Sequence, residues 1–158
     1  MERMQPKIMA SGYQRTREMT LDELMLENRV IFLIGEINQA SAARVMMQIL
    51  YLEDQKCGQQ INLYINSPGG SVDSGFAIWD QIKMIKAPVY TLVTGLAASM
   101  GSILSLCAEK SKRFATKNAR IMIHQPLIAG VIQGQATDLE IQAKEIEKTR
   151  AALVHLSR

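Results

Sequence analysis

The sequence predicts an α/β fold built on parallel strands. Three observations point there: short apolar runs rich in β-branched residues at "RVIFLIG", "INLYIN" and "VYTLVTG", stretches of helical periodicity between them, and turn signals at the handovers, "SPGG" among them. Strand and helix alternate three times, and a sheet of parallel strands joined by right-handed helical crossovers is the architecture that such alternation favours.

In chain order, residues 1–20 are polar and charged with interspersed Met and no strong period, and they read as an N-terminal arm. Arg29–Gly35 is a β-rich apolar run stopped by Gly, predicted to be a buried strand. Ala40–Gln55 reads as a helix with Ser41 as candidate N-cap, because Ala42, Val45, Met46, Ile49 and Leu50 recur at helical spacing. Ile61–Asn66 is the next strand, followed at once by the loop signal "SPGGS". Asp73–Lys86 is a second helix with Gly75, Ile78, Trp79, Ile82 and Ile85 on one face, closed by Pro88. Val89–Gly95 is a third strand, and Ser99 opens a third helix that runs through Ala108. "RFAT" and "ARIMIH" are two further short strands around a turn at Lys117–Asn118. A last helix begins at Thr137, where "TDLE" is a capping box with Thr137 as N-cap and Glu140 at N3; Leu139, Ala143, Ile146 and Leu153 line one of its faces. No internal repeat or low-complexity tract interrupts this order.

The 158 residues suffice for one domain with a substantial core, and a hydrophobic fraction of 47% is that of a globular chain. Ten Met against one Trp, four Tyr and three Phe make Met the filler of gaps that aromatics fill elsewhere. A net charge of +3 with Lys and Arg dispersed argues against nucleic acid as a partner. Cys57 and Cys107 have no zinc-ligand spacing and read as reduced thiols of a cytoplasmic-type compartment. Residues 1–30 hold no continuous apolar core of a signal peptide, and no run approaches the ~18 apolar residues of a membrane-spanning helix.

The chemistry concentrates in "GLAASMGSILSLCAEKSKRFATKNARIMIHQP". A serine hydroxyl becomes a nucleophile only when a base takes its proton and donors hold the oxyanion. Ser99 falls where a strand hands over to a helix, so first-turn amides, that of Met100 foremost, face the same space. Gly95, Ala97, Ala98 and Gly101 leave room for a substrate backbone. "SPGG" follows the neighbouring strand end on the same sheet edge, and Gly70 is the candidate for a second amide donor. His124, ending "ARIMIH", is the candidate base; the alternative, His155, lies near the C-terminus without a partner loop. Each part alone has a plainer reading: a serine ahead of a helix is most often an N-cap, a histidine at a strand end structural, and "SPGG" a turn.

Together, "NRVIFLIGEI", "LYLED", "INLYINSPGGSVDSGFAIWDQIK", "APVYTLVTGLAASMGSILSLCA", "KRFATKNARIMIHQP" and "GQATDLEIQAKEI" resemble, in order and spacing over roughly residues 28–150, the proteolytic subunit of the Clp protease family. The resemblance implies a crotonase-like β-α superhelix with a protruding strand-plus-helix handle. It divides one peptidase domain, 1–158, into an arm or axial loop (1–20), a head (21–126) and the handle (127–158). It implies Ser99 as nucleophile, His124 as general base and acid, and Gly70 and Met100 as oxyanion donors. The "PGGSV" and "QPLIAG" segments, with Gly69, Ser71, Val72 and Leu127, would clamp an extended peptide by main-chain bonds. It further implies seven-subunit rings paired by the handle into a fourteen-subunit barrel that encloses the active sites. An AAA+ unfoldase ring would feed unfolded proteins into it and spend the ATP, so this chain needs no cofactor or metal. The setting would be the bacterial cytoplasm or an organelle matrix or stroma.

The family's third triad member is an aspartate beyond the handle helix, and none of the five here (Asp22, Asp54, Asp73, Asp80, Asp138) matches that motif. In the serine-protease template the orienting acid is worth roughly four orders of magnitude in rate. With Ser99 and His124 both kept, the expectation is part of a longer, active subunit; the alternative is a catalytically weak or inactive ring-forming paralogue. A crotonase-fold enzyme acting on an acyl-CoA thioester is a third reading, disfavoured because no glutamate lies between Ser67 and Leu106.

Overall fold

The computed structural model describes residues 19–123. Residues 1–18 of the arm, the handle, His124, His155 and the Thr137 capping box lie outside the described residues. Within that span the elements are α1 (Leu21–Glu27), β1 (Val30–Ile34), α2 (Gln39–Gln55), β2 (Ile61–Ser67), α3 (Val72–Met84), β3 (Val89–Ala98), α4 (Met100–Ser105), a 3-10 turn (Lys110–Lys112), β4 (Arg113–Ala115) and β5 (Arg120–Met122). The sheet runs β1-β2-β3-β4, with β5 also on β3, and every pairing is parallel. This is the α/β architecture that the alternation of runs implied.

Register explains the core. Ile31 lies beside Leu63 and Leu63 beside Thr91, while Leu33 lies beside Ile65 and Ile65 beside Val93. These side chains are buried and meet Ala42, Val45, Ile49 and Leu52 of α2 and Ile78, Trp79 and Ile82 of α3. The alternate residues, Phe32 beside Tyr64, Tyr64 beside Leu92 and Leu92 beside Phe114, line the opposite face. β1 is therefore half-buried rather than buried: its apolar run hides Ile31 and Leu33 and turns Phe32 and Ile34 outward.

Local chemistry sets the helix ends, and several differ from expectation. Asn38, not Ser41, is the N-cap of α2. The extended Asn38 backbone lets its side chain accept the Ser41 N–H at 3.0 Å, and Ser41 Oγ accepts the Asn38 N–H at 3.0 Å. Two donors of the first turn are thereby satisfied reciprocally. α3 ends at Met84, with extended Ile85 as C-cap, well before Pro88. α4 stops at Ser105 rather than Ala108, and all six of its residues are buried. α1 was not anticipated. It is held by a capping box in which Thr20 Oγ1 accepts the Glu23 N–H at 3.2 Å and Glu23 Oε2 accepts the Thr20 N–H at 2.9 Å.

Arg29 joins three elements. Held at φ 62° and almost fully buried, it donates to the carbonyls of Leu52, Gln59 and Gln60 at 2.8–2.9 Å. Its fork thus ties the last turns of α2 and the loop before β2 to the start of β1. At the far side Glu53 accepts the Lys86 and Ala87 amides, each at 3.0 Å, and fastens α2 to the α3–β3 connection.

Candidate active site

β3 is longer than expected. It runs past Gly95 to Ala98, so strand and α4 meet with Ser99 alone between them. A register shift between Ile65 and Ser67, which pairs Ser67 with Ala97, absorbs the extension. Gly95 makes room for it at φ 94°, with the Asn66 side chain where a Cβ would lie, and Asn66 Oδ1 accepts the Leu96 N–H at 3.1 Å.

Ser99 stands at φ 51°, ψ −124°, in a region that non-glycine residues seldom occupy and that costs about 1–3 kcal/mol. Its side chain makes no capping bond, so the plainer reading of a serine ahead of a helix does not apply here. The backbone, by contrast, is fully engaged. Its N–H donates to the Met122 carbonyl at 2.9 Å, and its carbonyl accepts the Ser102 and Ile103 amides at 3.0 and 3.3 Å. The hydroxyl of this half-buried residue meets no partner among the described residues.

The "SPGG" loop closes onto this serine. Gly69 sits so near that a Cβ built on it would be 2.7 Å from Ser99 Cβ and 3.1 Å from the Met100 nitrogen. Gly70, at φ 146°, would with a Cβ overlap the Ile37 carbonyl oxygen. Gly69 O accepts the Ile37 N–H at 2.8 Å and the Ser71 N–H donates to Ile37 O at 2.8 Å, a parallel bridge centred on Gly70. Alternation along an extended backbone then turns the Gly70 N–H away from Ile37. Met100 packs its side chain under α3 against Gly75, which leaves its amide at the open end of α4. Neither the Gly70 nor the Met100 N–H meets an acceptor among the described residues. Two unspent donors thus flank one unspent hydroxyl, the pairing an oxyanion needs.

Of the other residues singled out, Gly69 and Ser71 spend main-chain groups on Ile37, and Ser71 Oγ accepts the Ser74 N–H at 3.3 Å as N-cap of α3. Gly70 and Ser71 are exposed, and Val72, the first residue of α3, is half-buried against the core. His124 and Leu127 lie outside the described residues. The chain leading to them is described: Leu96, Ala97 and Ala98 pair with Arg120, Ile121 and Met122.

Sequence reasoning missed Ser67. Wholly buried, its Oγ accepts the Gly69 N–H at 3.0 Å, and its backbone and side chain fill the space that a Cβ on Gly101 would need. The signal was present, since a serine two residues ahead of a glycine is a turn-forming arrangement in its own right. Among the described residues no group of three His, Cys, Asp or Glu could hold a metal ion, and no helix is long and apolar enough to cross a membrane.

A family model described as "Clp protease" matches residues 13–158. The chain is similar to "ATP-dependent Clp protease proteolytic subunit 1" of Protochlamydia amoebophila (strain UWE25), 60% identical over 136 residues, which cover 86% of this chain and 66% of that protein. The protein of the same name from Chlamydia muridarum (strain MoPn / Nigg) is 59% identical over 85% of this chain and 70% of its own length, and that of Chlamydia pneumoniae 53% identical over 92% and 76%. The chain therefore spans about two thirds to three quarters of the length of these relatives.

Proposed function

The chain belongs to the Clp protease family, with that family's crotonase-like fold, and from that premise we propose that it is a proteolytic subunit of an ATP-dependent serine protease acting on unfolded proteins. The observation that carries the reading is the Ser99 turn: a strained, uncapped serine with two amides beside it that meet no acceptor among the described residues.

In this reading Ser99 Oγ attacks the scissile carbonyl while His124 takes its proton. The developing oxyanion rests on the Gly70 and Met100 amides. His124 then gives the proton to the leaving amine, and water, activated by the same imidazole, hydrolyses the acyl-Ser99 ester. The register supports His124 as base. Met122 is bonded to Ser99, and covalent reach keeps the Cα two residues further along the chain within about 7 Å of the Met122 Cα. An extended peptide would lie along Gly70 and Val72 on one side and Leu127 on the other. The subunit would assemble into paired rings, take its substrates from an AAA+ unfoldase that spends the ATP, use no cofactor itself, and work in a bacterial cytoplasm or an organelle matrix.

The test is covalent labelling of the full-length protein. A fluorophosphonate probe is expected on Ser99, and Ser99→Ala is expected to abolish both labelling and peptide hydrolysis. Labelling that persists in Ser99→Ala would remove the nucleophile assignment; labelling at the normal rate in His124→Ala would remove the base.

A further inference from the structure

The Ser99 carbonyl has a third donor besides the two amides of α4. The hydroxyl of Ser102, a residue 1% exposed, donates to it at 2.6 Å. This carbonyl and the Met100 N–H belong to one peptide unit. A trans peptide is planar and its C=O and N–H point in opposite directions. No peptide bond among the described residues is cis. Whatever fixes the Ser99 oxygen on the α4 side therefore fixes where the Met100 hydrogen points on the other side. Donors on the carbonyl also polarise the amide and strengthen its N–H as a donor in turn.

We propose that Ser102 is a positioning residue of the peptidase reaction: its hydroxyl aims and polarises the Met100 amide by holding the opposite end of the same peptide plane. The inference rests on the reading of Met100 as an oxyanion donor. A plainer account exists, because serines in helices often bond back to a carbonyl a turn away. Ser105 does this one turn on, donating to the Ser102 carbonyl at 2.6 Å, while Thr91 Oγ1 of β3 donates to the Ser105 carbonyl at 2.9 Å. Only the Ser102 bond lands on the peptide that borders the site. Ser105 is thus a built-in control of equal chemistry without that placement.

The experiment uses the full-length assembled enzyme, a fluorogenic peptide amide, a peptide aldehyde whose hemiacetal oxygen would occupy the hole, and a product peptide that forms no oxyanion. Ser102→Ala is expected to lower kcat about tenfold with KM within about twofold, a loss of the size of one hydrogen bond to a developing charge. The aldehyde should bind weaker by the same factor, and the product peptide equally well. Ser102→Thr should restore kcat and aldehyde affinity, and Ser105→Ala should leave both unchanged. Ser102→Cys, nearly isosteric but a weak donor, should reproduce the alanine result without opening a gap in α4. Full kcat and aldehyde affinity in both Ser102→Ala and Ser102→Cys, with Ser99→Ala inert, would overturn the positioning role alone. Hydrolysis by Ser99→Ala would overturn the underlying reading and this inference with it.

Discussion

The Ser99 amide donates to the Met122 carbonyl at 2.9 Å, and through that bond the serine's backbone is pinned to the end of β5, two residues before His124 in the sequence. Strained backbone persists only where its surroundings over-determine it. Here β5 holds the amide of Ser99, the first turn of α4 holds its carbonyl, and Gly69 lies so near that a side chain on it would collide with the Ser99 Cβ. The hydroxyl is left to project where no capping bond claims it. The same closeness explains the glycines of "SPGG", which bring the Gly70 amide to the serine without a side chain between.

Gly70→Ala should therefore cost both stability and chemistry. A Cβ there overlaps the Ile37 carbonyl oxygen and the residue sits at φ 146°, so the loop must shift away from Ser99. A loss of about 1–3 kcal/mol is expected from the overlap, together with loss of fluorophosphonate labelling. Gly58→Ala is the contrast: φ is 77° but nothing lies within 4 Å, so it should carry only the left-handed penalty of about 1–2 kcal/mol and label normally. Thermal midpoints and labelling rates of the two variants, side by side, check this; equal labelling in both would refute it.

Arg29 should matter for stability and not for chemistry. Its guanidinium satisfies three carbonyls from one loop and a helix end, and the Leu52 carbonyl also accepts the Lys56 amide at 3.3 Å. Arg29→Met leaves those acceptors short, and about 3 kcal/mol of unfolding free energy is expected to be lost. Arg29→Lys should recover only part, since a point charge cannot serve three acceptors as a planar fork does. Denaturant titration measures the loss, and kcat of the folded fraction should stay at the wild-type value.

The three central strands and the apolar faces of α2 and α3 were legible because burial imposes a period, and Ile49, Ile78 and Ile82 carry it in the sequence. The exact handovers were not. Asn38 and Ser41 are both good caps, and only the backbone reveals which one precedes the helix. The extension of β3 to Ala98 depends on a register shift opposite Ser67, which is a tertiary fact with no local signature. β5 reads as a short apolar run, yet its place beside Leu96–Ala98, in line with β4 along β3, comes from pairing alone. Ser99 and Gly70 could be named from sequence as a serine at a strand–helix boundary and a glycine in a turn. The unspent state of the hydroxyl and the two amides could not, because it depends on partners such as Ile37 and Met122 from elsewhere in the chain.

Glu53 gives the fold an acid-sensitive clasp. Burial opposes its ionisation, but the Lys86 and Ala87 amides and the Cys57 thiol bond to the charged form and leave its pKa below the ordinary 4.5. A depressed carboxylate stabilises the fold above its unfolded pKa, and this contribution disappears as pH falls through the folded value. Glu53→Gln should therefore be less stable than wild type at neutral pH, with the gap closing as pH falls below about 4.5. Exposure to solvent keeps the effect small. Thermal midpoints of both proteins across that range decide it, and a gap independent of pH would count against the clasp.

The two cysteines should report on the surface and on the core of the molecule. Cys107 is 2% exposed, and burial pushes its thiol up to about 12 despite the nearby charges of Lys83 and Arg113. Alkylation needs the thiolate and an approach path, and Cys107 offers neither. Cys57 is exposed, but its S–H donates to Glu53 Oε1 at 3.3 Å, and that bond, followed by desolvation and the carboxylate's charge, raises its pKa as well. In native protein at about pH 8, iodoacetamide should modify Cys57 slowly and leave Cys107 untouched, whereas unfolded chain should take two equivalents at the ordinary thiol rate. Glu53→Gln removes the charge that holds the proton on Cys57 and should accelerate its modification while leaving Cys107 protected. Mass spectrometry of the alkylated peptides separates the two sites. Modification of native Cys107 at the Cys57 rate would mean that the layer between α3 and β3 opens freely, and the packing that holds α4 and Ser99 in place could not then be as described.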